Sequence, residues 1–418
     1  MKVHPLFNSL IQFKGNARGC VYSEPLNGIP CNLYMPYVSV YMLALGVTDT
    51  QIGLTVSISM VFQLILALFS GVITDKLGRR KNTLIFDLIS WTIPALISAI
   101  AQNFWFFLGA AIINSFIRVT QNSWMCLMVE DSEPDQLIDI FSWIYIIGLL
   151  AAFFAPLAGL MIKSISLIPT MRILYLFAAV SFTLKAFITY KMTEETKQGV
   201  IKMHETDGKS LFDSLGEYKN VLREILHTPK TLYTAGIMVI MNICMMVNYL
   251  FWSIIVTEKI KIPVQNIAMF PFIKSLIMLV FYFVVIPRMR TLHFKIPMIF
   301  GFMGFVVSRL VLVLAPVNGY ALLFFSVFLE ACSLATLNPL VDQLTVLSID
   351  PKERARIQSI LYVGIILIST PFGWIAGALS EANKSLPFIL NIFLFLVGGI
   401  LAYLAGRSSA GSQTKSLS

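Results

Sequence analysis

Long apolar stretches separated by short polar segments extend over most of the sequence. No Asp, Glu, Lys or Arg occurs within residues 88–117, 140–162 or 231–257. A helix of about 20 residues crosses the roughly 30 Å hydrocarbon core of a bilayer, so each of these windows is long enough to span a membrane. Turn-forming residues divide the rest of the chain into similar lengths. The pattern predicts twelve membrane-spanning helices, over residues 22–46, 52–74, 82–101, 104–129, 136–162, 169–191, 231–256, 265–286, 295–315, 319–347, 353–379 and 384–406.

The composition agrees with an all-α membrane protein. The 418 residues are 57% hydrophobic and 13% charged, whereas about 25% of the residues in an ordinary soluble domain are charged. A mean hydropathy of +0.79 describes a chain whose outer surface faces lipid, which excludes a water-soluble enzyme. The five cysteines are scattered, without a CxxC or a Cys/His cluster. We therefore expect no disulfide framework, no metal site and no cofactor.

The positive charge is concentrated on one side of the predicted helices. The formal net charge is +9, and most of the 31 Lys and Arg residues lie in loops on the same side as the two termini. Cytoplasmic loops of membrane proteins carry such an excess of cations, so we predict that both termini are cytoplasmic. The chain is then a multi-pass protein of the plasma (inner) membrane, and its net charge does not indicate a nucleic-acid partner.

A polar linker separates two sets of six predicted helices. We place the two bundles at residues 1–192 and 230–408, the linker at 193–229 and a disordered tail at 409–418. From Leu211 onwards the linker has apolar residues at helical spacing, which predicts an amphipathic helix on the inner membrane surface. The fifth and eleventh helices share Gly and Pro interruptions. Paired halves of this kind are typical of transporters whose site lies where the halves meet.

A charged motif follows the second predicted helix. Residues 71–81 read GVITDKLGRRK, which has the form G-x-x-x-D-[RK]-x-G-R-[RK]. An ordinary positive-inside loop explains the cations but neither Asp75 nor the spacing of the glycines. The motif resembles the signature between helices two and three of the major facilitator superfamily (MFS). Because the layout of six plus six spans also matches, the resemblance covers nearly the whole chain and implies the MFS fold of two pseudo-symmetric bundles.

The motif can act as a latch between the halves. Gly71 allows another helix to approach closely, and Asp75 offers a negative charge to the positive N-terminus of a neighbouring helix. The resemblance implies that this neighbour is helix eleven near Pro351, and that the latch holds an outward-facing state. The predicted gating residues are Gly71, Asp75, Gly78, Arg79, Arg80, Glu130 and Asp131.

Arg118 is the strongest candidate for a binding residue, because an ionisable group well inside a span is costly and usually functional. It shares one helical face with Asn114, Gln121 and Asn122. The alternative is an arginine that ties helices together through backbone carbonyls. Its pairing with Gln121 partly resembles a motif of proton-coupled MFS members, although Asn122 stands where that motif has glycine.

Other candidates come from the helices that line the cavity in this superfamily, which are the first, fourth, seventh and tenth, and from a cation in helix eight. A stripe of Met and aromatic residues on the seventh predicted helix more often serves packing than binding, but the resemblance strengthens the case for binding. The remaining predicted substrate-binding residues are Asn27, Tyr34, Asn242, Tyr249, Trp252, Lys274 and Asn338.

Glu24 and Glu330 are the predicted proton carriers. Glu330 lies mid-span, where burial disfavours the charged form and so favours a proton carrier. The alternative is that Glu330 neutralises Arg118 or Lys274. With Arg309, the deep cations outnumber the one comparably deep acid, which favours an organic anion or a zwitterion as cargo.

Two further charged groups are expected to have lesser roles. Lys185 is expected to extend its ammonium group to the inner surface, and Asp87 is expected to be a gate or a helix cap near the cytoplasmic end.

The sequence thus predicts a secondary active transporter that moves a small organic solute by alternating access, with the proton as driving ion. One alternative is a drug/proton antiporter that exports lipophilic compounds, and another is a membrane receptor that does not transport. The expected partners are the solute, protons and membrane lipid, and the expected state is a monomer. An enzyme is not expected, because the four His residues lie outside the spans and no Ser/His/Asp grouping occurs.

Overall fold

The computed structural model describes residues 10–133, 136–206, 229–284, 295–347 and 354–415. These residues are helical and contain no strand. Eleven helical stretches of these residues, some of them made of two consecutive helices, are long and apolar enough to cross a membrane. The prediction of an all-α membrane protein is confirmed.

The helices up to residue 206 begin with a segmented stretch in place of one long first span. They are α1 (Gly15–Ser23), α2 (Pro25–Tyr34), α3 (Val38–Ala44), α4 (Asp49–Leu77), α5 (Arg79–Asp87), α6 (Ile93–Ala99), α7 (Phe104–Asn114), α8 (Ile117–Val129), α9 (Leu137–Ala151), α10 (Ala155–Ile165), α11 (Leu167–Met192) and α12 (Lys197–Thr206).

The helices after residue 228 are longer and include fewer breaks. They are α13 (Pro229–Ile254), α14 (Met269–Val284), α15 (Lys295–Leu314), α16 (Tyr320–Leu347), α17 (Arg354–Ala382) and α18 (Leu386–Lys415). The amphipathic helix predicted from Leu211 lies outside the described residues.

The chain divides into two compact units. The first comprises Met1–Gly46 and Ile58–Leu215, and the second comprises Val47–Ser57 and Gly216–Ser418. The outer part of α4 therefore packs with the second unit, which the sequence pattern does not indicate.

The break between α1 and α2 positions Glu24. Pro25 occupies the first turn of α2 and has no backbone N–H to continue the helix. The carbonyl of Glu24 instead accepts hydrogen bonds from the backbone of Asn27 and Gly28, both at 2.9 Å. The break thus fixes an ionisable side chain inside the first span.

A π-helical turn, Leu88–Thr92, joins α5 to α6. Pro94 follows it, and its missing N–H removes the usual partner of the carbonyl four residues earlier, at Ser90. The side-chain amide of Asn114 donates to that carbonyl at 2.7 Å. Asp87 directly precedes the turn and Trp91 lies within it, and π-helical turns of this kind are often found at functional sites.

Hydrogen bonds hold the first turn of α4 within the second unit. The buried carboxylate of Asp49 accepts hydrogen bonds from Ser380 Oγ at 2.5 Å and Lys384 Nζ at 2.7 Å. A Cβ on Gly53 would collide with the backbone carbonyl of Gly373. The close helix approach along α4 therefore occurs at Gly53.

An apolar core supports the charged groups of the second unit. Phe305 and Phe395 stack with ring centroids 4.5 Å apart, and a Cβ on Gly398 would lie 2.6 Å from the ring of Phe302. Between membrane-spanning helices such packing stabilises the fold through van der Waals contacts. Arg309 follows Phe305 by one turn of α15, so this packing fixes its backbone.

Candidate functional site

The charged motif forms a compact cluster at the C-terminal end of α4. We predict that this end is cytoplasmic and call it the inner end. The Arg79 guanidinium is 5% exposed; its Nη1 lies 2.8 Å from Asp75 Oδ1 and its Nε lies 3.1 Å from Glu130 Oε2. Thr196 Oγ1 donates to the same Glu130 oxygen at 2.5 Å. One planar cation thus joins the ends of α4 and α8, an arrangement that lysine could not reproduce.

Glu195 caps the N-terminus of α5 and was not predicted. Its two carboxylate oxygens accept from the backbone N–H groups of Arg79 at 2.8 Å and Arg80 at 3.0 Å. A carboxylate at this helix end satisfies free N–H groups and complements the helix dipole. Because Glu195 is 115 residues from Arg80 in sequence, the motif's own spacing does not reveal it.

The other predicted gating residues have different surroundings. Arg80 donates to the carbonyl of Tyr190 at 2.8 Å and lies over its ring. Asp131 is exposed and forms no ion pair among the described residues. A Cβ at Gly71 would meet no heavy atom of the described residues within 4 Å. Pro351, the expected partner of Asp75, lies outside the described residues.

Gly78→Ala is expected to lower the free energy of unfolding by about 1–3 kcal/mol, because Gly78 has φ +78° and other residues are strained there. The new Cβ would also lie 2.6 Å from Glu195 Oε2. The measurement is the thermal unfolding midpoint in detergent. Gly109→Ala is the matched control, since a Cβ at Gly109 meets nothing within 4 Å. Equal midpoints for the two variants would contradict the role assigned to Gly78.

A buried ion pair lies in the first unit where none was predicted. Lys185 Nζ is 3.0 Å from Asp87 Oδ2, with 7% and 3% of the two side chains exposed. Thr120 Oγ1 donates to the other oxygen of Asp87 at 2.9 Å. Lys185 therefore does not extend to the surface, and the side chain of Asp87 does not cap a helix. The low dielectric of the interior holds the two charges together.

The ion pair borders a small cavity. Its volume is about 150 Å³. Glu24 lies in its wall and accepts a hydrogen bond from Asn27 Nδ2 at 3.2 Å. The predicted residues Glu24, Asn27 and Gln121 thus meet there, with Asp87, Trp91, Thr120, Trp124 and Lys185 completing the lining.

The predicted polar face around Arg118 does not converge on one site. Arg118 Nε donates to Gln63 Oε1 at 3.0 Å and its Nη1 donates to Gln121 Oε1 at 3.3 Å. Asn122 Nδ2 donates to Thr74 Oγ1 at 3.2 Å. Together with the Asn114 contact to α5–α6, these bonds tie helices together. The helix breaks between α7 and α8, so a single helical period does not relate the four residues.

Tyr34 packs in the aromatic core of the first unit. Its ring centroid is 4.8 Å from that of Tyr175, and its side chain is buried. Packing rather than an open binding surface accounts for its position.

The second unit brings two cations to one carboxylate. Glu330 Oε1 lies 2.5 Å from Lys274 Nζ, and Oε2 lies 2.9 Å from Arg309 Nη1. Asn248 Nδ2 donates to Oε1 at 3.2 Å. The sequence predicted Arg118 or Lys274 as the partner of Glu330. In the structure Glu330 pairs with Lys274 and with Arg309. Asn248 was not predicted.

This cluster has an excess of positive charge and of hydrogen-bond donors. Arg309 is 0% exposed, and its Nε and Nη2 atoms have no hydrogen-bond partner among the described residues. Lys274 is 26% exposed, so the cluster remains open on the side of α14. A buried cation without a full set of acceptors is costly, and an added acceptor would relieve that cost.

The stripe of Met and aromatic residues predicted on the seventh span lies on α13, and its members differ in exposure. Asn242 and Tyr249 are exposed. Trp252 packs edge-on against Phe270, with centroids 5.4 Å apart. Asn248 precedes Trp252 by one helical turn, and that i, i+4 spacing could have indicated the face that carries Asn248. In α16, Asn338 is half-buried and has no hydrogen bond in the described part of the chain.

Comparison with known proteins identifies the family. The model of the Major Facilitator Superfamily matches residues 26–293. A multidrug resistance protein, MdtG, of Yersinia enterocolitica is 28% identical over 208 residues, which are 47% of this chain and 48% of that protein. The uncharacterized MFS-type transporter YqjV of Bacillus subtilis is 23% identical over 131 residues, 31% of this chain and 32% of that protein. The chain therefore aligns with about half or less of these relatives' length.

Solved structures share the fold over nearly their whole length. A crystal structure of the nucleoside transporter NupG has a TM-score of 0.69 at 15% identity and covers 93% of this chain and 98% of that chain. The human organic anion transporter MFSD10 has a TM-score of 0.62 at 14% identity, with 96% and 100% covered. At these identities the likeness shows the fold alone.

Proposed function

Since the chain belongs to the Major Facilitator Superfamily and is a multi-pass membrane transporter, we propose that it moves a small organic anion by proton-coupled alternating access. In this proposal the termini are cytoplasmic, the protein acts as a monomer, and the cluster around Arg79 is the inner latch. The anionic cargo and the proton coupling rest on the charged groups of the two units.

The observation that carries the anionic cargo is the cluster in the second unit. Lys274 and Arg309 bring two positive charges to the single carboxylate of Glu330. Arg309 is 0% exposed and contributes its charge to the cluster from within the protein, whereas Lys274 is 26% exposed. An incoming anion pairs with Lys274 and supplies the negative charge that the cluster lacks.

Glu24 is better placed than Glu330 to carry the proton. Glu330 is held between two cations, which stabilise its charged form. Among the described residues, Glu24 has a hydrogen bond from Asn27 and no cation within 4.0 Å. A proton on Glu24 would remove an uncompensated charge from the first unit.

Export of lipophilic compounds is the second candidate function. The observation in its favour is the match to MdtG of Yersinia enterocolitica, whose name describes a multidrug resistance protein. That match covers 47% of this chain, and the paired cations of the second unit favour the anion.

The cargo class is tested by thermal stabilisation of the purified protein. Carboxylates or phosphorylated metabolites are expected to raise the unfolding midpoint, while neutral sugars and lipophilic cations are not. Lys274→Met should weaken the response to anions at least tenfold and still fold, because one cation and one carboxylate remain paired. Lys261→Met is the matched control, since Lys261 is exposed and pairs only with exposed Glu258 at 4.0 Å. Stabilisation by lipophilic cations alone would overturn the anion and favour drug export.

A further inference from the structure

The cavity of about 150 Å³ in the first unit has an uncompensated negative charge. Asp87 is neutralised by Lys185 at 3.0 Å. Glu24 has no such partner in the part of the chain that the structure describes, and its one side-chain hydrogen bond comes from the neutral amide of Asn27. Two carboxylates therefore share one ammonium group. The cavity is one positive charge short of neutrality.

Two polar atoms on residues that line the cavity are buried and have no hydrogen-bond partner in the described structure. Asn27 Oδ1 is an acceptor without a donor, and Trp124 Nε1 is a donor without an acceptor. An unpartnered polar atom is costly in the interior, and an ammonium group would supply the donor that Asn27 Oδ1 lacks. Next to the carboxylate of Glu24, this oxygen offers a second acceptor for one N–H group.

The walls of the cavity favour an organic cation over a bare ion. Trp91 and Trp124 both line it, and tryptophan faces attract ammonium groups. Lys185 Nζ already lies 5.7 Å from the centre of the Trp124 ring. A cavity of roughly 150 Å³ is large enough for a molecule the size of benzene, so an aminoalkyl group fits it.

We propose that this cavity binds an ammonium group of the cargo, with Glu24 and Asn27 Oδ1 as acceptors and the two indole rings as walls. The inference rests on the proposed transport function and adds an ammonium group to the cargo. It concerns the cavity of the first unit by itself. Lys185 lies 3.0 Å from Asp87 and occupies that carboxylate, which leaves Glu24 as the carboxylate available to the ligand.

The test compares solutes that differ only by an amino group. Purified protein is titrated with matched pairs, such as butanoate against 2-aminobutanoate and 4-aminobutanoate, and glutarate against glutamate, and the unfolding midpoint is recorded. At least one aminated solute is expected to stabilise the protein at tenfold lower concentration than its partner. Glu24→Gln should reduce this preference to less than threefold and change the response to the amine-free acid by less than twofold. Failure of every aminated solute to exceed its partner would overturn the proposal.

Two further variants keep the test independent of folding. Asn27→Leu removes the second acceptor at similar size and should reduce the amine preference at least threefold. Glu194→Gln, at an exposed carboxylate, should leave it unchanged. If Glu24→Gln abolishes the pH dependence of transport but keeps the amine preference, Glu24 binds only the proton and the proposal is wrong. Transport of anions without amine preference removes this inference alone, whereas absence of anion transport removes the proposed function.

Discussion

Glu330→Gln is expected to be among the most destabilising single substitutions in the second unit, by about 3–5 kcal/mol, because it leaves buried cations without their counterion. Arg309 is 0% exposed and 2.9 Å from Glu330, so it cannot reach water without unpacking α15. Gln is nearly the same shape as Glu, so the loss measures charge and not volume. The measurement is the unfolding midpoint in detergent, together with the monodisperse fraction on size exclusion.

The double variant Glu330→Gln with Arg309→Met separates charge from packing. Removing the uncompensated cation is expected to recover much of the lost stability. Glu258→Gln is the control, because Glu258 is exposed and its pair with Lys261 is loose, and such pairs contribute little. If Glu330→Gln unfolds at the same temperature as the Glu258→Gln control, the cluster is not held by charge.

Asp87→Asn is expected to destabilise the first unit. The substitution keeps an oxygen for Thr120 but removes the carboxylate at 3.0 Å from Lys185. Loss of the sole partner of a buried ion pair costs about 3–5 kcal/mol, and the loss here is expected to be smaller because Glu24 lines the same cavity as Lys185. The unfolding midpoint is the measurement, and adding Lys185→Met should restore a large part of it.

The exposed ion pair between Lys202 and Glu205, at 2.7 Å, supplies the control for Asp87→Asn. Glu205→Gln is expected to shift the midpoint little, because water solvates the remaining charge. Full stability of Asp87→Asn would show that Lys185 finds another acceptor, and the assignment of the cavity charges would then be wrong.

The fold was predictable because a membrane imposes a length on each apolar segment. Windows free of charge, such as 140–162, correspond to helices in the structure. The first span shows the limit of the pattern, since Pro25 divides it at Glu24. Hydrophobicity gives the places of the long spans, whereas proline gives the local breaks that position the ionisable side chains.

The pairings between residues of the site were harder to predict from the sequence than the fold was. Asp87 and Lys185 are 98 residues apart, and each was assigned by its distance from a predicted helix end. Depth along a span does not tell which neighbour a side chain meets. The two charges are stable inside because they meet each other, which only the packing of α5 against α11 determines.

Asn114 shows a second limit. Its polar side chain on an apolar helix suggested binding, but the structure assigns it to the Ser90 carbonyl that Pro94 leaves without a partner. A proline on one helix thus explains an asparagine on another. The signal is present in the sequence, although the pairing requires the fold.

The most direct test of an anion-transporting function is counterflow in proteoliposomes. Vesicles loaded with the anion that best stabilises the protein should accumulate the same radiolabelled anion from outside, transiently and saturably. Lys274→Met should reduce the initial rate at least tenfold, and Lys261→Met should leave it unchanged. Counterflow of lipophilic cations without counterflow of any anion, or equal rates for the Lys274→Met variant and the unmutated protein, would contradict the account.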